Sequence, residues 1–349
     1  MKKFLKLLPL VVVASLTACE KYKYSSNTLL VFGTVCNYTL QLTNDFAGAK
    51  TYSSIENILL DVDKYADATK QRDVVNVWSL NMTNEKLKID EEFYNLLKRA
   101  NELKESLKYF NPLIGSLSEE WKSALNLSEN PNYTPEVLSN SVIEAELAKI
   151  NSSELILEKT DEGYYAQRTG DAQIDLGAVA KGYALDRCLY YFKHYIGNTG
   201  DRIIDLGHSS ILLGRHSKEI KVFNSPEQYE EGVYVIEIPN LVNENRLRLY
   251  SSFISTSGIS EQKAVVDGVT YSHIINPVTG SAAVGNYDQI TVITSDGLNK
   301  GSLGDALSTS LMMGDENDIK EAETNFEVKV IAIKGGNIVY HSDGVNLYK

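Results

Sequence analysis

Apolar residues recur in two different periods along this chain, and the period changes near its middle. Ser54 to Ala66 carries apolar side chains at Ile55, Ile58, Leu59 and Val62, the i, i+3, i+4, i+7 spacing of one helix face. The same texture predicts helices over Asp90 to Leu107 and Thr134 to Ile150, while Leu29-Leu30-Val31-Phe32 reads as a strand. From about Arg202 the pattern becomes short β-branched runs: Ile203-Ile204, Ile211 to Leu213, Ile220 to Val222, Val233 to Ile238, Ile290 to Ile293, Val328 to Ile333 and Ile338 to Tyr340. A helix-rich front half and a strand-rich back half, with helices interspersed, predict α+β or mixed α/β layers rather than a doubly wound parallel sheet. There is no internal repeat, and the 21 tyrosines are spread along the chain.

Ahead of these elements, Lys2, Lys3 and Lys6 precede an apolar run from Leu7 to Leu16, the arrangement of a secretory signal. The run is too short to span a bilayer as a mature helix. Its end, Leu16-Thr17-Ala18-Cys19, resembles the lipobox of bacterial lipoproteins, in which Cys19 becomes the lipidated N-terminus. This reading divides the chain into a signal peptide (1–18), a lipidated polar tether (19–28) and a folded domain (29–349). The lipid would hold that domain on the extracytoplasmic face of a bacterial membrane. An ordinary secretory signal with an incidental cysteine is the alternative. No later stretch reads as a spanning helix.

Composition narrows the partners. With 349 residues, 43% hydrophobic and 23% charged, the chain can bury a sizeable core, which excludes disorder and coiled coil. The net charge of −12 gives no footprint for gripping a nucleic-acid backbone. Cys19, Cys36 and Cys188 cannot form a disulfide framework, and neither they nor the five histidines show zinc or haem spacing.

Three stretches carry candidate chemistry. In Ile174 to Asp186, an acid and a glycine turn precede a helix that starts near Ala178, with Lys181 in its first turn. Such a start presents backbone N–H groups and a cation to an anion such as a pyrophosphate, although a buried helix with a capping Asp would read the same. In Asp305-Ala306-Leu307-Ser308-Thr309, a carboxylate and a hydroxyl four residues apart share a helix face, with Ser308 beside them. Hard oxygen ligands of this kind suit Mg²⁺; a helix cap followed by small buried residues is the plainer reading. The third stretch, Tyr271 to Gly280, contains His273, either a general acid/base or a structural histidine, with Ser255-Thr256-Ser257-Gly258 upstream.

Taken in order, these stretches resemble the FAD:protein FMN transferase (ApbE) family over about Leu29 to Asp343. Gly33-Thr34 matches the family's first Gly-Thr, and Tyr65 to Thr69 approximates its Tyr-x-x-Asp-Ser. Phe110-Asn111-Pro112-Leu113-Ile114-Gly115-Ser116-Leu117 approximates Phe-Asp-x-x-x-Gly-Pro-Leu. Asp175 to Asp186 fits Asp-Leu-Gly-(Gly/Ala)-Ile-Ala-Lys-Gly-Tyr-Ala-Val-Asp with conservative changes only. Ser255 to Gly258, His273 to Gly280 and Gly304 to Thr309 follow in family order. The resemblance implies an α+β, T-fold-like layered β/α body with a smaller lobe and a flavin cleft between them. It implies Mg²⁺-dependent transfer of FMN from FAD to a Thr or Ser hydroxyl of an exported acceptor protein, releasing AMP.

On that resemblance, Asp305, Ser308, Thr309 and the Ala178 carbonyl would hold Mg²⁺, and Lys181 would stabilise the diphosphate. Asp175 would hold a polar edge of the flavin or adenosine, and His273 would assist proton transfer. Phe32, Tyr65, Tyr109, Phe110, Asn111 and Ile275 stand at positions that line the flavin. The chain also departs from the pattern: Asp205-Leu206-Gly207-His208-Ser209 replaces Asn-Leu-Gly-Gly-Asp, Asn276 and Asn111 replace aspartates, and Phe32 replaces a methionine. Three alternatives remain: hydrolysis of FAD to FMN and AMP at the same site, a non-catalytic flavin- or solute-binding lipoprotein, and a structural surface protein.

Overall fold

Ten residues on either side of Phe32-Gly33 form the first hairpin, β1 (Tyr22–Val31) and β2 (Thr34–Thr43), paired antiparallel from Tyr22↔Thr43 to Val31↔Thr34. The computed structural model describes residues 22–43, 46–128, 130, 132–196, 201–214, 219–222, 234–237, 251–259, 262–295 and 297–348; Cys19 and the signal segment lie outside them. Strand β1 begins inside the stretch read above as a tether. Its polar side chains meet others across the ladder, Ser26 Oγ with Thr39 Oγ1 at 2.8 Å and Thr28 Oγ1 donating to Asn37 Oδ1 at 3.0 Å. An edge strand can therefore be polar and still be ordered, which the apolar pattern does not register.

The helices of the front half are α1 (Phe46–Ala66), α2 (Val77–Asn81), α3 (Glu91–Ser106), α4 (Gly115–Ala124) and α5 (Asn140–Ser152), with β3 (Leu87–Ile89) between α2 and α3. Helix α5 starts at Asn140 rather than Thr134, because Ser139 is its N-cap and accepts the Val142 N–H. A second hairpin, β4 (Glu154–Thr160) and β5 (Gly163–Thr169), pairs with β3 in the order β3-β5-β4. Helices α2 and α3 pack on this three-stranded sheet, whereas α1 packs against β2 and the later helix of residues 180–191.

Next come α6 (Ala180–Tyr191), ending in a π-helical turn, then β6 (Arg202–Leu206), β7 (Ser210–Gly214), β8 (Glu219–Val222) and β9 (Tyr234–Glu237). They are followed by β10 (Ser251–Gly258), the β11 (Lys263–Val266) and β12 (Val269–Ser272) hairpin, and β13 (Gln289–Thr294). The chain closes with α7 (Lys300–Leu311), α8 (Glu316–Phe326), β14 (Lys329–Lys334), β15 (Asn337–His341) and β16 (Asn346–Tyr348).

Eight strands form one antiparallel sheet in the order β1-β2-β6-β7-β10-β13-β14-β15, so the layered α+β expectation holds. One face of that sheet, through Tyr38, Ile204, Leu212, Phe253, Val292 and Val330, joins the core that α1, α6 and α7 also bury. The other face carries a separate apolar cluster of Ile211, Leu213, Ile254, Ile331 and Ile333, partly covered by Leu347 of β16. Burial on both faces explains why these strands read as continuous β-branched runs. Strands β2, β4, β5 and β10 escaped the pattern because they mix polar, serine-rich or tyrosine-rich positions with apolar ones.

Candidate active site

The floor of the site is the crossing of α6 and α7, where two glycines remove the side chains that would keep the helices apart. A Cβ on Gly182 would lie 2.2 Å from the Gly301 carbonyl oxygen, and one on Gly301 would lie 2.5 Å from the Gly182 oxygen. At this distance each helix caps the other. Asp186 of α6 accepts the Gly301 and Ser302 N–H groups, each at 2.8 Å, at the N-terminus of α7. Asp305 of α7 accepts the Gly182 N–H at 2.9 Å through Oδ2 and the Ser210 hydroxyl at 3.0 Å through Oδ1. Burial raises the Asp186 carboxyl to about 6, against the hydrogen bonds from Ser302 and Gly301 and the Arg99 charge, which favour its ionised form.

The Gly182 bond bears on the candidate metal site. That N–H is one of the first-turn donors a helix leaves without an intrahelical partner, and Asp305 takes it; Ala178, just ahead of the helix, lines the same cleft as Asp305. Asp305 spends one lone pair on each oxygen and keeps others. Thr309, one turn on, lies on the same wall, its hydroxyl bonded to Ser257 Oγ at 2.9 Å and to the Asp305 carbonyl at 3.3 Å. A carboxylate, a hydroxyl and a peptide carbonyl are a hard-oxygen set that fits Mg²⁺ with part of its shell left to water or phosphate. Among the described residues no group of three or more His, Cys, Asp or Glu side chains is gathered for a metal.

Above this floor opens a cleft of about 970 Å³, at the upper end of what small-molecule and cofactor sites occupy. Phe32, Tyr109, Phe110, Asn111 and Ile275 line it together with Asp175, Ala178, Lys181, His273, Asp305 and Thr309. Two residues expected there stand elsewhere. Tyr65 is buried at the end of α1, stacked on Phe93 of α3 and donating its hydroxyl to Asp90 Oδ2 at 2.9 Å. Ser308 is fully buried behind Thr309, its hydroxyl shared between the Asp305 carbonyl and Ser257 Oγ, each at 2.9 Å. Thr309 bonds the same Ser257, but Ser308 is wholly enclosed and does not line the cleft.

Local bonding explains how distant segments converge. The Asp175 N–H donates to the Pro112 carbonyl at 2.8 Å and the Gly115 N–H to the Gln173 carbonyl at 2.8 Å, which sets the Phe110–Asn111 segment beside Asp175. Trp121 of α4 donates to the Gly280 carbonyl at 2.8 Å and stacks on Tyr271, tying α4 to the turn after His273. Helix α4 thereby brings Glu119 and Lys122 into the cleft, two residues the sequence reading missed. Their spacing of three on a helix with a buried Trp is the signal that was available. Burial works against the Lys122 charge, but the Glu119 hydrogen bond at 2.7 Å and the Asp175 charge hold its pKa above the usual lysine value.

The two asparagines that replace family aspartates keep a local job. Asn276 Oδ1 accepts the Val278 and Thr279 N–H groups at 2.9 and 3.2 Å, and Asn111 Oδ1 accepts the Leu113 N–H at 3.0 Å. A carboxylate oxygen would accept the same bonds, so either residue holds these turns. The rim is a different matter. His208 follows Gly207 in the β6–β7 turn, and both have positive φ, +61° and +62°. A Cβ on Gly207 would lie 2.1 Å from Thr34 Oγ1, so only glycine fits against the Gly33-Thr34 turn.

The model described as the ApbE family matches residues 32–332. The chain belongs to the ApbE family. It is 23% identical over 292 residues to the FAD:protein FMN transferase of Treponema pallidum (strain Nichols), covering 82% of this chain and 77% of that protein. The FAD:protein FMN transferase of Klebsiella pneumoniae (strain 342) is 29% identical over 202 residues, 58% of this chain and 55% of its own length. In fold, the chain is similar to the ApbE protein of Thermotoga maritima (TM-score 0.70, 24% identity, 92% of this chain and 97% of that one). It is also similar to the flavin transferase ApbE of Vibrio cholerae (TM-score 0.65, 20% identity, 92% and 98%). The ApbE family is an enzyme family.

The cysteines outside the signal segment take no part in the site. Cys36 and Cys188 are buried and free. Burial, with the Asp205 charge, pushes the Cys36 thiol up to about 12, and burial raises Cys188 as well, so both are poor nucleophiles.

Proposed function

We propose that this chain transfers the FMN half of FAD to a Thr or Ser hydroxyl of an exported acceptor protein and releases AMP, with Mg²⁺ at the cleft floor. The observation that supports the reading is that Asp305, Thr309, Ala178 and Lys181 all line one cleft sized for a dinucleotide. Asp305, Thr309 and Ala178 would hold the ion. Bound there, Mg²⁺ neutralises diphosphate charge and orients an in-line attack. Lys181, in the first turn of α6, would bind the diphosphate oxygens from the helix N-terminal side. Asp175 already uses Oδ1 to accept the Gly177 N–H at 2.7 Å, which fixes its carboxyl for a ligand's polar edge. Phe32, Tyr109, Phe110 and Ile275 offer flat and apolar surface to the isoalloxazine and adenine rings. His273, whose Nδ1 lies 3.4 Å from the Gln262 carbonyl, would take the acceptor's proton.

For localisation, we infer anchorage through a lipid on Cys19 at the extracytoplasmic face of the membrane, from the signal-like segment and its Leu-Thr-Ala-Cys end. No helix among the described residues is long and apolar enough to cross a membrane. The mass of the chain recovered from a membrane fraction, compared with a Cys19→Ser variant that loses the acyl mass, tests this.

The activity is tested by incubating the protein with FAD, with and without Mg²⁺, and with an exported flavoprotein fragment. AMP would be followed by chromatography and flavin by in-gel fluorescence after denaturation. Mg²⁺-dependent AMP with fluorescence fixed to the fragment is the expected result. AMP with free FMN would instead identify an FAD pyrophosphatase, and retained FAD without AMP a flavin-binding lipoprotein.

A further inference from the structure

The strand ends and turns that line the cleft all lie at one end of the eight-stranded sheet. Phe32 is in the β1–β2 turn, Gly207 and His208 are in the β6–β7 turn, Thr256 to Gly258 close β10 and Gln289 opens β13. The pairs Tyr22↔Thr43, Leu40↔Arg202 and Ser251↔Gly214 mark the opposite end, and Thr294 of β13 lies there too. Strand β1 runs from one end to the other, and its ten residues span about 30 Å at the rise of a strand.

In the sequence, only two residues separate Cys19 from Tyr22, where β1 begins. Three residue steps reach at most about 11 Å. A lipid on Cys19 would therefore hold the end of the sheet remote from the cleft next to the bilayer.

That end carries the residue types of a headgroup layer. Helix α6 starts beside the cleft, and the π-helical turn after it (Phe192–Ile196) reaches the remote end, where the Arg202 guanidinium stands 4.5 Å over the Phe192 ring. Here Tyr190 stacks on His194 at 3.9 Å, and Tyr191 faces Tyr195 at 5.1 Å, with Tyr195 69% exposed. Tyr24 of β1 is 53% exposed and donates to Asp201, the residue before Arg202, at 3.4 Å. Leu298, four residues past Thr294, is 47% exposed. Side chains with an apolar body and a polar tip, such as these tyrosines, suit the boundary between headgroups and acyl chains.

We propose that the end of the sheet carrying Tyr24, Tyr191, Tyr195 and Leu298 rests on lipid headgroups, so that the cleft opens about 30 Å above them; this rests on the lipid-anchor reading above. The aromatic turn is a second contact beside the lipid and keeps the domain from swinging on its short link. A membrane-bound acceptor then has to present its hydroxyl at that height, which makes reach from the bilayer part of substrate selection.

The test uses the acylated full-length protein on phosphatidylcholine–phosphatidylglycerol vesicles containing a headgroup nitroxide lipid. A fluorophore is placed on one introduced cysteine, Leu298→Cys at the remote end or Leu30→Cys beside the cleft turn. Both positions are exposed, whereas Cys36 and Cys188 are buried thiols with raised pKa that do not take the label. The nitroxide should quench the label at position 298 and leave that at position 30 bright, and Tyr195→Glu should shrink the difference. Equal quenching at the two positions of the bound protein, or stronger quenching at position 30, overturns the orientation and leaves the anchor standing. A difference that Tyr195→Glu does not change overturns the part given to the aromatic turn. A chain that carries no acyl mass and does not stay on the vesicles overturns the anchor reading and this proposal with it.

Discussion

Gly182 and His208 lie on two sides of one cleft and make opposite demands on the chain. Under the floor, Gly182 has regular helical backbone and no space: its missing Cβ lets α6 touch α7, and Asp186 and Asp305 cross between the helices to cap each other's ends. On the rim, His208 is exposed and has an unfavourable backbone, with its N–H and its Nδ1 both facing Asp205. The floor is specified by packing, so its sequence has almost no freedom. At the rim the constraint is local conformation, which a carboxylate three residues away can offset, so chemistry can vary there without disturbing the core.

The largest effect should come from Asp305→Asn. The amide oxygen can still accept one of the two protein bonds, so the chain should remain folded with a melting transition close to wild type. Loss of the anionic ligand should lower Mg²⁺-dependent AMP release by about 1000-fold, the scale of several kcal/mol of metal-derived charge stabilisation. Normal turnover by the folded variant would remove Asp305 from the metal site. Gly182→Ala probes the same floor through packing: overpacking should cost about 2–3 kcal/mol, against which the helical preference for alanine returns about 1 kcal/mol. Urea denaturation reads the difference, and an unchanged midpoint would mean that the helices can separate freely.

Asp186 gives the floor a pH signature. Its carboxyl is raised to about 6 in the folded chain from an ordinary value of 3.8, so the folded state holds a proton that the unfolded state has released between those values. Stability from this group is present below pH 4 and lost as pH rises through about 6, the reverse of a salt-bridged aspartate. Denaturation midpoints of wild type minus Asp186→Asn should therefore fall between pH 4 and 6 and stay level above. A difference that rises with pH would show that the hydrogen bonds from Gly301 and Ser302 outweigh burial.

The same contrast explains what was legible in the sequence. Asp175 to Asp186 and Gly304 to Thr309 could be read because close helix packing forces small residues, acids and hydroxyls into fixed spacings. Asp305 and Thr309, four apart, do share the cleft wall. Ser308 shares Ser257 as a partner with Thr309 but is fully buried, a difference in depth that spacing along the helix does not register. Tyr65 was misplaced because motif position says nothing of where a hydroxyl is satisfied, here at Asp90. Glu119 and Lys122 were missed because α4 reaches the cleft only through long-range bonds such as Trp121 to Gly280. Polar β1 hid for a related reason: its order comes from pairing with β2, not from any apolar period of its own.

The smallest effect, and the most discriminating for the rim, is on the stability of His208→Gly. Glycine adopts positive φ without the Cβ clash that makes this region unfavourable by roughly 1–2 kcal/mol for other residues. The substitution also removes the Nδ1 contact with Asp205, which at an exposed site is worth about 0–1 kcal/mol, and it enlarges the entropy of the unfolded chain by about 0.4–1 kcal/mol. The balance is a gain of a few tenths of a kcal/mol, readable as a small upward shift in the melting temperature. A variant more stable than the parent would place the cost of His208 in its backbone conformation. A less stable variant would make His208 a structural element of the β6–β7 turn, and would reduce the contrast between floor and rim to one of exposure alone.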